Sequence, residues 1–292
     1  MIIDSLYIVI LNYNSAHDTV ELFNLLKAQG YGDLILVVDN HSKQLDRAVL
    51  TKHIPGDQLV FSKKNKGYAA GNKIGIQRAL DDGSEFVLLL NPDIRLDVEC
   101  IPLLHNAIKK DASIAAVGPR ICYRDNPDKI YSDGGLVIKE KGMFTTHINT
   151  NASVHEVSNK AMNYNIDYVN GSVFLARTAV FTKIGFMRED FFLYFEETEW
   201  CLRAKAHGYL LATTPEATAY HTSSIKGRLY HYYMTRNRLL FAKLYPEYYA
   251  ITKKVVWKTI SKDFKKHSKN LTFPNANLLA KLQGYIVGRL KK

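Results

Sequence analysis

Leu6-Tyr7-Ile8-Val9-Ile10-Leu11, then Asn12-Tyr13-Asn14-Ser15, then Val20, Leu22, Phe23, Leu25 and Leu26 at helical spacing: this stretch decides the fold. A short continuous apolar run, a polar loop and a 3.6-residue period read as strand, loop and helix. The unit recurs. Leu34-Ile35-Leu36-Val37-Val38 ends in Asp39-Asn40, and Leu59-Val60-Phe61 leads into Asn65-Lys66-Gly67-Tyr68 and a helix through Ile74, Ile76 and Leu80. Phe86-Val87-Leu88-Leu89-Leu90 then runs into Asn91-Pro92-Asp93, ahead of a helix near residues 98–108. Strands apolar on both faces that alternate with helices predict an α/β layer architecture, a mainly parallel central sheet flanked by helices. Ligands of such sheets bind beyond the carboxyl ends of the strands. The polar triplets are therefore expected to converge on one edge. Residues 121–165, with Asp133-Gly134-Gly135, lose the rhythm and read as irregular or antiparallel structure that builds a second lobe facing an acceptor.

The chain has 292 residues, 47% of them hydrophobic, enough for one large core or two small ones. Its net charge of +11 is uneven: residues 247–292 hold eleven Lys/Arg against Glu247 and Asp263 and so carry nine of it. In that segment Val256, Ile260 and Phe264 recur at helical spacing beside Trp257 and between lysines. This pattern suits a membrane-surface helix, or a solvated helix that packs one face on the main domain. No nucleic acid is expected as a partner, because no DNA- or RNA-binding motif accompanies the basic segment. The expected division is a domain over residues 1–245 and a basic amphipathic helical extension over 246–292. If the extension is an anchor, removing residues 251–292 should abolish liposome binding and spare turnover of a short soluble acceptor.

Cys100, Cys122 and Cys201 are scattered and odd in number, which points to a reducing compartment. Asp4 interrupts the apolar start, and no run approaches the ~20 residues that span a bilayer. The expectation is a cytoplasmic protein, peripheral on the inner face of the cell membrane. There is no internal repeat, G-x-G-x-x-G or G-x-x-x-x-G-K-[ST], which weakens dinucleotide and ATPase readings.

Chemistry concentrates elsewhere. Phe191-Phe192-Leu193-Tyr194-Phe195-Glu196-Glu197-Thr198-Glu199 crowds three carboxylates against aromatics at the mouth of a helix that Gly208 stops. Glu199 can reach Arg203 one turn on. Glu196 and Glu197 are either the charged first turn of a surface helix or acids desolvated for use by a polar ligand. Asp39 could close its strand as an Asx turn or accept hydrogen bonds from a nucleotide base or ribose. Asn91-Pro92-Asp93 is a good turn, in which Asp93 could also offer a hard oxygen to a divalent cation. His221, after another apolar-to-polar transition, is either a hydrogen-bonded structural histidine or a nitrogen ligand of the same ion.

In combination these residues resemble the inverting glycosyltransferases of family 2, with the GT-A fold, over roughly residues 5–245. Residues 8–14 are similar to that family's opening strand and nucleotide loop, and Val37-Val38-Asp39-Asn40-His41-Ser42 to its base-binding turn. Asn65-Lys66-Gly67-Tyr68-Ala69-Ala70-Gly71-Asn72 is similar to its third signature, and Asn91-Pro92-Asp93 stands at its Asp-x-Asp metal motif, as in the rhamnosyltransferase-like branch. Residues 170–177 resemble the segment lining the sugar and acceptor site, residues 192–197 the one bearing the base, and Tyr220-His221 the C-terminal metal ligand.

The resemblance implies a nucleoside-diphosphate sugar, dTDP-rhamnose or a UDP-sugar, held by Asn12, Tyr13, Asp39, Asn65, Gly67, Asn72 and Asn91. It implies Mn²⁺ or Mg²⁺ on Asp93 and His221, Gly171 and Glu196 at the sugar and acceptor, and Glu197 as the base that drives inverting transfer to a glycan or lipid-linked glycan. Two positions depart from the family pattern: Asn91 replaces the first Asp of the metal motif, and Glu197 stands where Asp is commoner. The competing readings are a nucleotidyltransferase, which would release pyrophosphate, and a non-catalytic module that binds nucleotide sugar or glycan.

Overall fold

The computed structural model describes residues 5–157, 161–222, 226–269 and 273–291; Asp4 lies outside them. β1 (Leu6–Asn12) is apolar because both of its faces are covered. Ile8 and Ile10 enter a core with Leu22, Phe23 and Leu26 of α1 (Ala16–Leu26), whereas Val9 and Leu11 enter a second core on the opposite side of the sheet. Side chains that alternate across a strand require those two layers. β2 (Ile35–Asp39), α2 (Gln44–His53), β3 (Leu59–Phe61), α3 (Tyr68–Asp81) and β4 (Phe86–Leu90) repeat the unit. Strands β3, β2, β1 and β4 lie side by side and parallel, with Asn12 opposite Asp39 and Ile10 opposite Leu90. The polar residues that follow them therefore share one edge.

The second half adds β5 (Arg95–Leu96), α4 (Cys100–Lys109), β6 (Ile114–Tyr123), β7 (Ile130–Ser132), β8 (Gly135–Ile138), β9 (Phe144–His147), β10 (Val173–Arg177), α5 (Thr178–Ile184), α6 (Glu196–Ala206) and β11 (Leu210–His221), of which all the strands but β8 and β9 join the same sheet. The strand order is β3-β2-β1-β4-β10-β6-β11-β5, with β7 on β6. β10 runs antiparallel to β4 and β6. It therefore starts, just after Gly171-Ser172, at the edge where β4 ends. β11 is parallel to β6, but its register jumps between Thr214 and Thr218, where Pro215 has no N–H to give the ladder. Beyond the jump, Ala219 and Tyr220 pair with Leu96 and Arg95, so His221 emerges beside the turn that holds Asp93. β8 and β9 form the antiparallel hairpin of the 121–165 lobe.

Three helices follow: α7 (Arg228–Lys243), α8 (Pro246–Lys269) and α9 (Ala276–Leu290). Leu239 of α7, Val256 and Ile260 of α8, and Leu278 and Tyr285 of α9 make one apolar cluster, with Phe264 packed against it. Of the two readings of α8, the packing is that of a helix that turns one face to the rest of the chain: its apolar stripe is spent on its own neighbours. The large apolar side chains left exposed on these helices are Leu229 on α7, Ile251 and Trp257 on α8, and Leu279, Ile286 and Leu290 on α9. Among the described residues, no helix is long and apolar enough to cross a membrane.

Candidate active site

Two hollows meet at the carboxyl edge of the sheet. The larger, about 790 Å³, lies between Tyr13, Asn40, Asn65, Gly67, Asn91 and Leu229. The smaller, about 310 Å³, has Asp93, His221, Glu196 and Glu197 in its wall with Tyr131 and His147. Tyr68, Asn91, Asp93 and Leu193 border both. The three residues on which the sequence reading depended most, Asp93, His221 and Glu197, thus line one cavity although they come from three distant segments.

Asp93 and His221 face each other, Oδ2 to Nε2, at 3.3 Å. Burial lowers the His221 pKa, the Asp93 carboxylate opposing that shift only in part, so the imidazole is held neutral as a ligand must be. Its ring stacks on Tyr131 with centroids 5.1 Å apart, and its buried Nδ1 has no hydrogen-bond partner. No Lys or Arg lines either hollow among the described residues. A diphosphate laid there would meet Asp93 with no protein cation beside it, so the donor set suits a divalent cation bound between Asp93, His221 and phosphate oxygens. The protein supplies only two such ligands; no group of three or more His, Cys, Asp or Glu is arranged for a metal among the described residues.

Glu197 sits in the first turn of α6, half-buried and packed against Gly171: a Cβ on Gly171 would lie 3.4 Å from the Glu197 carboxyl carbon. Tyr68 donates its hydroxyl to the Gly171 carbonyl at 2.6 Å and closes the same wall. Burial pushes the Glu197 pKa up to about 7, overcoming the backbone N–H groups of the helix start, which favour the charged form. Glu196 is fully buried with no partner for either oxygen, and burial next to Glu197 raises its pKa well above the ordinary value. It is therefore the neutral member of the pair and can donate a hydrogen bond. Glu199 is accounted for by its bidentate pair with Arg203, at 2.9 and 2.8 Å.

Gly67 is required by contact as well as by φ. At φ +95°, a Cβ there would lie 2.1 Å from the Phe192 carbonyl oxygen, which already accepts from Tyr68 N at 2.8 Å. The loop before α3 is thereby fastened to the loop that leads into Glu196 and Glu197. Asn65 Oδ1 accepts from Gly67 N at 2.9 Å and from Asn40 Nδ2 at 3.2 Å.

Three expected nucleotide ligands have their side chains engaged by other residues of the chain. Asn12 and Asp39 are fully buried. Asn12 Nδ2 donates to Asp39, Ser42 and Asp46, and its Oδ1 accepts from Ser15 N and Thr19 Oγ1. Asp39 accepts in addition from Ser42 N and from Arg47 Nε. Asn72 is buried inside α3 with its amide on Tyr68 O. All three shape the walls of the cleft from behind and do not face it. Tyr13, half-exposed, faces it, as does Asn40, whose buried Oδ1 lacks a partner.

The sequence reading also missed Tyr131 and His147, on the far wall of the smaller hollow. Tyr131 stacks on His221 and meets His147 edge-on at 4.9 Å, and Asn170 Nδ2 approaches His147 Nε2 at 3.5 Å. Burial lowers the His147 pKa to about 4. Tyr131 and His147 lie in the irregular 121–165 stretch, where neither strand nor helix periodicity flags an inward-facing side chain.

The family described as "Glycosyl transferase family 2" matches residues 7–181. Among curated relatives, the "Low-salt glycan biosynthesis hexosyltransferase Agl10" of Haloferax volcanii is 27% identical over 227 residues, 76% of this chain and 69% of that protein. The "dTDP-rhamnosyl transferase RfbF" of Shigella flexneri is 25% identical over 223 residues, 74% of this chain and 69% of that protein. Two solved structures share the GT-A fold. One is a mannosyltransferase, PcManGT of Pyrobaculum calidifontis, in complex with GDP-Man and Mn²⁺ (TM-score 0.57, 13% identity, 98% of this chain and 86% of that one). The other is GalNAc-T7 with UDP, GalNAc and Mn²⁺ (TM-score 0.59, 15% identity, 84% of this chain), of which this chain spans about half, 51%.

Proposed function

This chain belongs to glycosyl transferase family 2, and from that premise we propose that it transfers a hexosyl or deoxyhexosyl unit, rhamnose favoured, from a nucleoside diphosphate to a glycan or lipid-linked glycan with inversion. The observation that carries the reading is the single cavity shared by Asp93, His221 and Glu197. The base and ribose of the donor lie in the larger hollow against Tyr13 and Asn40, and the sugar enters the smaller one between Glu197 and the Tyr131–His147 wall. Asp93 and His221 would hold Mn²⁺ or Mg²⁺, and the ion would supply positive charge to the departing diphosphate. Glu197 takes the proton of the acceptor hydroxyl while that oxygen bonds to the anomeric carbon; the carbon–phosphate oxygen bond breaks on the opposite face and its electron pair departs with the nucleoside diphosphate. One displacement inverts the configuration and leaves no covalent intermediate on the protein. A base of pKa about 7 is well matched to this work at neutral pH.

The resemblance of the chain to a dTDP-rhamnosyl transferase supports a dTDP-deoxysugar donor. The basic extension supports an acceptor presented at an anionic membrane surface on the cytoplasmic side, with contact through the exposed face of α9. Incubation with dTDP-rhamnose, Mn²⁺ and candidate acceptors, followed by product analysis, tests the reaction. Release of nucleoside diphosphate with an inverted glycoside is the expected result; release of pyrophosphate would assign nucleotidyl transfer instead.

A further inference from the structure

Glu196 and Glu197 hang from a loop held in an uncommon backbone shape. Phe192, Tyr194 and Phe195 have φ of 67°, 70° and 78°, and none is glycine. Each such residue costs on the order of 1 kcal/mol or more, so the loop keeps this form only because something outside it imposes it. That something is α7. Asn237, fully buried, directs its amide N–H groups at the carbonyls of Phe191 (2.9 Å), Leu193 (2.7 Å) and Tyr194 (2.9 Å). Its Oδ1 accepts from Arg236 Nε at 2.8 Å, which fixes which end of the amide faces the loop. Arg236 also donates to the carbonyls of Asp190, at 3.1 Å, and Phe191. Its guanidinium lies 4.7 Å from the Tyr233 ring, which stacks on Phe192.

α7 is braced in turn by α9. A Cβ on Gly284 would lie 2.5 Å from the Tyr232 carbonyl oxygen, and one on Gly288 would lie 2.8 Å from that of Arg236, so the two helices touch backbone to backbone at the clamp itself. Lys291, just beyond α9, donates to the Asp190 carbonyl at 2.8 Å.

We propose that Arg236 and Asn237 are positioning residues that set the reach of Glu197, and that α9 sustains them, which makes the basic C-terminal segment part of the catalytic apparatus as well as a docking surface. The proposal rests on Glu197 being the base. It runs against the expectation that removing residues 251–292 leaves turnover of a soluble acceptor intact.

Three variants of the full chain test it: Asn237→Asp, which keeps the volume and the Arg236 bond but removes both donated N–H groups; Gly288→Ala, remote from the cavity; and Gln283→Ala on the exposed side of α9 as the control. Hydrogen exchange of the 190–196 amides, which needs no ligand, should quicken about tenfold in the first two while the β1–β4 amides stay protected, as loss of a buried hydrogen bond implies. With dTDP-rhamnose, Mn²⁺ and a soluble aryl glycoside, kcat should fall about 10- to 100-fold with KM for the donor little changed, the scale of a misplaced catalytic group. The acidic limb of the rate profile should also move below pH 7 as water reaches Glu197. Unchanged loop exchange in both variants overturns the clamp; a loosened loop with unchanged kcat and pH profile overturns its positioning role. Glu197→Gln run alongside separates the premise from the proposal: an active Glu197→Gln beside an impaired Asn237→Asp removes Glu197 as the base and leaves the clamp standing.

Discussion

Glu196 and Glu197 are neighbours in sequence, the first fully buried and the second partly so, and are not equivalent. Burial raises both, Glu196 further, so the pair divides into a neutral donor and a titrating base. Transfer should accordingly fall as pH drops below about 7, following protonation of Glu197, which a rate profile over pH 5–9 will display. Glu196 makes a second prediction, about stability. A carboxyl whose folded pKa lies above its unfolded one takes up a proton on folding, so its presence lowers stability progressively as pH rises from the unfolded value, about 4.5, towards the folded one. Glu196→Gln should therefore raise the melting temperature by a few degrees at pH 7, about 1–3 kcal/mol, and change it little at pH 4. An equal gain at both pH values would mean that Glu196 is not held neutral. At this scale the sequence was legible where a residue's chemistry and its neighbours in the chain agree, as for Glu197 among Phe191–Phe195. It was not legible where partners come from afar: Asp39 reads as a nucleotide ligand until Arg47 on α2 and Asn12 on β1 occupy its oxygens. Asn237 gives no local sign that its amide closes a loop more than forty residues away.

Elements were easier to read than their directions. β1 to β4, α1 and α3 follow from apolar runs and period, and the parallel order of the strands follows from the alternation; α2, in which only Leu50 is buried, gave no such period. β10 is as apolar as its neighbours but antiparallel, and nothing in Val173–Arg177 states its direction; only the β4 and β6 ladders do. α8 shows the opposite case, an amphipathic helix whose partner the sequence left open, because Val256 and Ile260 look the same facing lipid or facing α9. The exposed Leu279, Ile286 and Leu290 recur along one face of α9, so replacing all three by Ser should abolish cosedimentation with phosphatidylserine-containing vesicles. Binding that persists would place any membrane contact elsewhere. The loop before α3 carries a stricter demand. Gly67→Ala, with its positive φ and its contact with Phe192, should cost about 1–3 kcal/mol in thermal unfolding and depress transfer, since the displaced loop is the one that bears Glu197.

On the scale of the whole molecule, sheet topology assembles the site. Parallel β1, β2 and β4 deliver Tyr13, Asn40 and Asp93 to one edge, antiparallel β10 begins there with Gly171, and the bulged β11 brings His221 to Asp93. α6 adds Glu197 from across the cavity, under the clamp of α7. The central claim is a division of labour between the Asp93–His221 side, which binds the nucleotide through a cation, and the Glu197 side, which performs the chemistry. Calorimetric titration of dTDP with and without Mn²⁺ into the wild type, Asp93→Ala, His221→Ala and Glu197→Gln, paired with transfer rates, tests it most directly. Asp93→Ala and His221→Ala should lose the Mn²⁺-dependent part of the affinity, whereas Glu197→Gln should bind as the wild type does and transfer about 10²–10⁴-fold more slowly. Undiminished Mn²⁺-dependent binding in Asp93→Ala and His221→Ala, or full transfer by Glu197→Gln, would contradict the account.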